Sequence, residues 1–160
     1  MNVTPADLRP FEIHNVATFD EGPGGLARLN IATPLATAQI FLHGAHVARY
    51  QPAGSEPVLF MSESSVFAPG KAIRGGVPLI FPWFGGRAGH PESPAHGFAR
   101  TSPWTLESLA SPDGHTVTVV LTLTSCDATR ALWPHDFQLR YRITVGTTLV
   151  TPEASVSPMT

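Results

Sequence analysis

Proline is the residue that most limits how this chain can fold, because 16 prolines are spread along almost all of its 160 residues. A proline inside a helix removes a backbone donor and clashes with the preceding turn, so this spacing leaves little room for helices of ten or more residues. The sequence therefore predicts a fold built from strands and turns rather than from helices.

Alternation of apolar and polar residues predicts strands along most of the chain. Within Gly25–Thr33, for example, Ala27, Leu29 and Ile31 share one side of an extended segment. Comparable signals occur in Ala36–Gly44, Ala45–Pro52, Pro103–Leu109, Thr116–Ser125 and Phe137–Gly146, and in the short apolar run Pro57–Ser62. Gly44 and Asp113-Gly114 fit tight turns between these segments. Strands about every ten residues predict an all-β fold, as an antiparallel sandwich or barrel.

Charge and cysteine content exclude several classes of function. The net charge is −2, and no basic stripe or long apolar run predicts contact with nucleic acid or with a membrane. The N-terminus lacks the features of a signal peptide, which predicts a cytoplasmic protein. The single Cys126 excludes an internal disulfide, and His43 and His46 lack a third ligand at recognisable spacing, so no metal site is expected.

Two motifs carry the candidate chemistry. AIRGGVPLIFPWFGG spans Ala72–Gly86 and sets Arg74 beside two glycines, and PAHGFARTSPW spans Pro94–Trp104 and brings His96 close to Arg100. A guanidinium binds phosphate or carboxylate in a bidentate manner, and glycines let a ligand approach the backbone. We expect one of Phe81, Trp83 and Phe84 to face a sugar ring, and Lys71 and Arg87 to be solvated flanking cations. From the residues alone, a surface role for either arginine and a structural role for His96 stay open.

These motifs, followed by ATRALWPHDFQLRYRITVG at Ala128–Gly146, resemble those of the hexose-6-phosphate mutarotases, or glucose-6-phosphate 1-epimerases, of the aldose 1-epimerase superfamily. The resemblance covers Phe11 to about Leu149. It implies an antiparallel β-sandwich of the galactose mutarotase type. The implied reaction interconverts the α and β anomers of an aldohexose 6-phosphate such as glucose 6-phosphate, by acid–base catalysed ring opening without a cofactor.

The same resemblance implies roles for three residues. Arg74 and Arg100 would bind the 6-phosphate, and His96 would contact the sugar near its reacting end. Ala95 stands where the family often has Gln or Ser, so one polar contact is expected to be missing.

The resemblance extends only to the N-terminal half of the family. The family's catalytic histidine and glutamate have no matching position here, so no catalytic residue is assigned. We expect a truncated chain, with residues 1–149 forming the N-terminal part of the sandwich and residues 150–160 forming an aberrant or disordered tail. Exposed sheet edges would then favour self-association. Two alternatives remain: a fragment that only binds sugar phosphate, and an aldose 1-epimerase that acts on free sugars.

Overall fold

Two four-stranded antiparallel sheets form the protein in the computed structural model, which describes residues 3–158. The first sheet has the order β1 (Ala17–Glu21), β2 (Ala27–Ala32), β3 (Ala36–Phe41) and β4 (His46–Pro52). The second has the order β5 (Thr105–Ala110), β6 (Val117–Thr124), β7 (Phe137–Val145) and β8 (Leu149–Pro158). Two short α-helices, α1 (Pro5–Leu8) and α2 (Asp127–Leu132), and 3-10 turns at Arg9–Phe11, Pro23–Gly25 and Ala99–Thr101 complete the described elements. The all-β prediction is confirmed.

The main hydrophobic core lies between the two sheets. Leu29 and Ile40 of the first sheet and Leu121 and Ile143 of the second are fully buried members of the same cluster. Along β7, buried and more exposed residues alternate strictly, as its sequence predicts. Burial of one face of each sheet against the other gives a β-sandwich.

The predicted turns are also confirmed. Gly44 adopts φ +72° between β3 and β4, a conformation that glycine reaches without a steric penalty. Between β5 and β6, Asp113 accepts hydrogen bonds from the backbone N–H groups of His115 and Thr116, at 2.9 and 2.8 Å. An aspartate that bonds the backbone two and three residues ahead stabilises a tight hairpin turn.

Two segments differ from the sequence-based expectations. The run 57–62 is no regular strand: its only ladder contact in the described chain is an isolated bridge from Met61 to Gly75, and Val58 and Phe60 are exposed. Residues 149–158, which were expected to lie mostly in an aberrant or disordered tail, form β8 instead. This strand pairs with β7, whose outer edge offers backbone hydrogen bonds whatever the side-chain pattern. The domain boundary at residue 149 stays a prediction.

One long stretch, residues 53–104, links the two sheets, and we call it the connecting segment. It contains all three candidate ligand-binding residues. Within residues 3–158, no helix has the length and apolar character needed to cross a membrane.

Candidate functional site

The connecting segment forms two arms that both rest on the turn between β3 and β4. The first arm, residues 58–77, carries Arg74, and the second arm, residues 81–102, carries His96 and Arg100. Gly44 of the turn lies against the backbone of Arg100, since a Cβ added there would be 2.5 Å from the Arg100 carbonyl oxygen. A Cβ added to Gly76 would lie 2.7 Å from Nε2 of His46. Residues 44–46 therefore support both arms.

Backbone hydrogen bonds hold the first arm around Arg74. The Arg74 N–H donates to Ser65 Oγ at 2.9 Å, and the Arg74 carbonyl accepts from the Ser62 N–H at 3.1 Å. The Gly76 N–H donates to the Phe60 carbonyl at 2.8 Å. The Arg74 guanidinium is exposed and has no hydrogen bond or ion pair with any described residue. Its donors are thus available to an anion.

The Gly75-Gly76 pair makes the turn beside Arg74. Their φ angles are +102° and +58°, in the region that side chains with a Cβ rarely adopt. A Cβ on Gly75 would also come within 2.4 Å of the Phe60 carbonyl oxygen. The two glycines are therefore required by the close packing of the loop as well as by its backbone conformation.

His96 is held by a reciprocal pair of hydrogen bonds to Gly85. The His96 N–H donates to the Gly85 carbonyl at 2.7 Å, and the Gly85 N–H donates to His96 Nδ1 at 3.0 Å. Because Nδ1 accepts, the neutral ring carries its proton on Nε2. His96 is half-buried and has φ +65°, an uncommon backbone conformation for a non-glycine residue. It therefore offers one oriented N–H donor, which suits an oxygen of a sugar.

Arg100 lies on the same arm as His96 but is more constrained than Arg74. Its Nη2 donates to the carbonyl of Ala95 at 2.9 Å, and its Nε is buried without a hydrogen-bond partner in the described part of the chain. Ala95 has no polar side chain to offer a ligand. Its backbone carbonyl is nevertheless the acceptor that orients Arg100. The described contacts do not join Arg100 or His96 directly to Arg74.

The aromatic residues of the second arm have different surroundings. Phe81 packs on Phe137 and Trp133, with ring centroids 5.2 and 5.3 Å away, and so lies partly buried against the core. Phe84 is 79% exposed, and its ring lies nearly perpendicular to that of His96, with the ring centroids 4.9 Å apart. Of Phe81, Trp83 and Phe84, Phe84 is the exposed ring that lies beside His96. A sugar ring could cover the exposed face of Phe84.

Arg87 has a structural contact that the sequence did not reveal. Its guanidinium lies over the ring of Trp83, 4.9 Å from the centroid, and donates to the carbonyl of Leu132 at the end of α2. It therefore ties the second arm to α2, which lies between β6 and β7 in the chain, rather than being fully solvated. The signal that could have found it is the neighbouring tryptophan, because arginine commonly stacks on aromatic faces.

Charge around the two arms differs from that of the whole chain. Residues 71–104 contain four cations (Lys71, Arg74, Arg87 and Arg100) and one carboxylate, Glu92, although the chain has a net charge of −2. Glu92 is exposed and pairs with His90 at 3.3 Å. The excess of positive charge favours binding of an anion at this part of the molecule.

Two histidines lie beneath the first arm. His43 Nε2 is 2.7 Å from the carbonyl oxygen of Lys71. His46 is 1% exposed, and neither ring nitrogen has a hydrogen-bond partner among the described residues. Burial lowers the pKa of His46 to about 4, while the Gly75 backbone partly opposes this fall and His43 adds to it. His46 is therefore a neutral imidazole at pH 7.

Comparison with known proteins identifies the class of this chain. The sequence model of the aldose 1-epimerase family matches residues 28–157, so the chain belongs to that family. A curated relative from Escherichia coli K12, named "Putative glucose-6-phosphate 1-epimerase", is 46% identical over 115 residues, which are 72% of this chain and 38% of the relative. The chain thus spans well under half the length of this relative.

Solved structures agree with this assignment. A crystal structure titled as a "putative mutarotase" from Salmonella typhimurium superimposes with a TM-score of 0.85 at 37% identity, over 91% of this chain and 48% of that one. A galactose mutarotase-like protein from Clostridium acetobutylicum matches with a TM-score of 0.65 at 14% identity, over 84% and 47% of the two chains. The second likeness concerns the fold alone, which is of the galactose mutarotase type.

Proposed function

We propose that this chain supplies the substrate-phosphate site of a glucose-6-phosphate 1-epimerase, which interconverts the α and β anomers of the sugar phosphate. The observation that carries the proposal is the Arg74 guanidinium, which is exposed beside a double-glycine turn and unpaired among the described residues, in a chain similar to relatives named for that activity. The local excess of positive charge supports binding of a phosphorylated rather than a free sugar.

In this proposal the two arginines bind the phosphate, and His96 and Phe84 contact the sugar. Arg74 binds the 6-phosphate through its exposed guanidinium, and Arg100, already oriented by the Ala95 carbonyl, adds donors from the second arm. His96 donates its Nε2–H to a sugar oxygen, and the exposed ring of Phe84 covers an apolar face of the sugar. Ring opening needs a base to take the C1 hydroxyl proton and an acid to protonate the ring oxygen. No residue of this chain is assigned to either step.

A second candidate function is binding of sugar phosphate without catalysis. It requires only the anion-binding and sugar-contacting residues described above, Arg74, Arg100 and His96. A cytoplasmic location and self-association through sheet edges are parts of the same proposal. β1, β5 and β8 are edge strands of the two sheets, whereas the connecting segment bonds to the edge of β4 at Val47 and Tyr50.

The test is a titration of the chain with glucose 6-phosphate, with glucose as the control ligand. We expect saturable binding of the phosphate ester that weakens in both Arg74→Ala and Arg100→Ala, with weaker or no binding of glucose. Equal binding by both variants and the parent chain would contradict the phosphate assignment.

Anomer equilibration, followed by NMR from pure α-glucose 6-phosphate, separates the two candidate functions. Acceleration above the rate in buffer supports catalysis, and binding without acceleration supports a protein that only binds sugar phosphate. A preference for glucose would instead favour an aldose 1-epimerase acting on free sugars.

A further inference from the structure

The loop that holds His96 is closed by two side chains, one at each of its ends. Trp83 and Arg87 flank the three residues 84–86. The guanidinium carbon of Arg87 lies 4.9 Å from the centre of the Trp83 ring, within the range of a cation–π contact. The two side chains thus close residues 83–87, which we call the His96 loop.

Each member of this pair is anchored to a different part of the molecule. The Trp83 indole N–H donates to the Pro94 carbonyl at 2.9 Å, within the second arm. The Arg87 guanidinium donates to the carbonyl of Leu132, the last residue of α2. Carbonyls at the end of a helix have no partner inside the helix, so a side-chain donor is favourable there. Arg87 therefore fixes the His96 loop to an element that lies outside both arms.

The middle of the His96 loop depends on these anchors because its backbone is intrinsically flexible. Gly85 adopts φ +70°, and a Cβ added to Gly85 or Gly86 would meet no described residue within 4 Å, apart from chain neighbours. Glycine has more accessible backbone conformations than any other residue. Yet the Gly85 backbone makes both hydrogen bonds that orient His96, one through its N–H and one through its carbonyl. Displacement of Gly85 would release the imidazole.

We propose that Arg87 is a positioning residue for His96. Its guanidinium, stacked on Trp83 and bonded to α2, keeps Gly85 in place, and Gly85 in turn holds the imidazole in the tautomer that carries its proton on Nε2. This inference rests on the proposed function, in which that Nε2–H group donates to a sugar oxygen. Arg87 itself does not touch the ligand. A direct contact between Arg87 and the phosphate is the competing explanation, and it makes a different prediction for inorganic phosphate.

The first test compares binding of glucose 6-phosphate and of inorganic phosphate by the full 160-residue chain. Loss of one neutral hydrogen bond corresponds to a roughly two- to tenfold change in affinity. We expect Arg87→Ala to weaken binding of glucose 6-phosphate by about that factor and to leave binding of inorganic phosphate unchanged, because the sugar is what His96 contacts. Arg9→Ala, which removes an exposed arginine outside both arms, should bind both ligands as the parent does. Equal weakening for both ligands would indicate a direct phosphate contact and overturn the inference.

A variant that keeps the charge tests the electrostatic explanation. Arg87→Lys retains a cation but lacks the planar group that can stack on an indole while it donates to a carbonyl. We expect this variant to bind glucose 6-phosphate almost as weakly as Arg87→Ala does. Full affinity in Arg87→Lys would mean that only the charge at this position matters, and the positioning role would be refuted.

The state of His96 is measured directly, in the absence of ligand. The ¹⁵N signals of the imidazole report which ring nitrogen carries the proton, and hydrogen exchange reports how often the Gly85 amide is released. The parent chain should show the Nε2–H tautomer and a protected Gly85 amide. In Arg87→Ala the two tautomers should mix and the amide should exchange faster. If a folded Arg87→Ala keeps the tautomer and the exchange rate of the parent, the inference is wrong whatever the affinities are.

A double-mutant cycle tests whether Arg87 acts through His96. Arg87→Ala should have little further effect on the affinity for glucose 6-phosphate in a His96→Ala background, whereas additive losses would contradict the inference. If Arg74→Ala and Arg100→Ala both bind as tightly as the parent chain, the proposed phosphate site and the inference both fail. If these two variants are weak but Arg87→Ala binds normally, only the inference fails.

A measurement on the unmodified chain covers the case in which the Arg87 variants do not fold. During a titration with inorganic phosphate, the guanidinium signal of Arg74 should shift in NMR spectra and that of Arg87 should not. During a titration with glucose 6-phosphate, the His96 ring and the Gly85 amide should shift as well. A shift of Arg87 with the same dissociation constant as Arg74 for inorganic phosphate, or no response of His96 to the sugar phosphate, would overturn the inference.

Discussion

Lowering the pH from 7 to 5 should destabilise this protein through His46. In the folded chain the pKa of His46 is about 4, against 6.5 for the unperturbed group, because the buried ring cannot be charged without losing its hydration. At a pH between these two pKa values, His46 binds more protons in the unfolded chain than in the folded one. The free energy of unfolding therefore falls as the pH decreases from about 6.5 towards 4.

The size of this effect follows from the two pKa values. At pH 7 the group is almost neutral in both states and contributes little. At pH 5 it is almost fully protonated in the unfolded chain and about one-tenth protonated in the folded one, which lowers the free energy of unfolding by about 2 kcal/mol. That is a large part of the stability of a typical domain.

Urea unfolding at pH 7 and pH 5, followed by the fluorescence of the three tryptophans, measures the effect. The lowered pKa values of the paired carboxylates, such as Asp20 beside Arg28, are common to the parent and the variants and cancel in the comparison. His46→Gln should lose about 2 kcal/mol less than the parent over this range. His115→Gln, whose ring is exposed, serves as the matched control. Parallel pH dependences for the parent chain and His46→Gln would refute the reasoning.

Three further changes test the core, the contact between the sheets and the exposed ring. Leu121→Ala should lower the free energy of unfolding by about 2–5 kcal/mol, because the side chain is fully buried; a loss below 1 kcal/mol in urea unfolding would contradict its place in the core. Tyr50→Phe should cost about 1 kcal/mol, since the hydroxyl donates to the Gly146 carbonyl at 3.0 Å across the sheets; equal stability would argue against that bond. Phe84→Ala should change the free energy of unfolding by less than about 0.5 kcal/mol yet weaken binding of glucose 6-phosphate; calorimetry checks the binding, and unchanged affinity would remove Phe84 from the site.

Most of the fold could be predicted from the sequence because its signals are local. The period of two in β7 and the turn residue Asp113 specify strand and hairpin without reference to the rest of the chain. The strand β8 was missed because its polar and proline-containing sequence lacks that period, and only pairing with β7 orders it. The run 57–62 resembles a strand because it is apolar, but among residues 3–158 its contacts to extended backbone are isolated, such as the bridge from Met61 to Gly75 and the bond from Val58 to Tyr50.

The site was less predictable because its geometry depends on contacts between distant segments. The sequence singles out Arg74, His96 and Arg100, yet it contains nothing that reveals the Gly85 bonds to His96 or the bond from Arg100 to Ala95. His46 was weighed only as a metal ligand, since its place beneath Gly76 arises from the return of the connecting segment over β4. Packing of the second arm likewise decides that Phe81 is partly buried against the core and Phe84 exposed.

The position of the candidate site on the connecting segment has a consequence for folding. Each sheet is formed by strands that follow one another along the chain, so its pairings close only short loops. Docking of the two sheets is the step that brings distant residues together, and the connecting segment packs on both: Val77 bonds to Val47 of β4, and Phe81 lies on Phe137 of β7. The arms can therefore take their final positions only as the sheets dock. Assembly of the ligand site and assembly of the core are the same event, so loss of core stability reduces the fraction of molecules that can bind even when no ligand-contacting residue is changed.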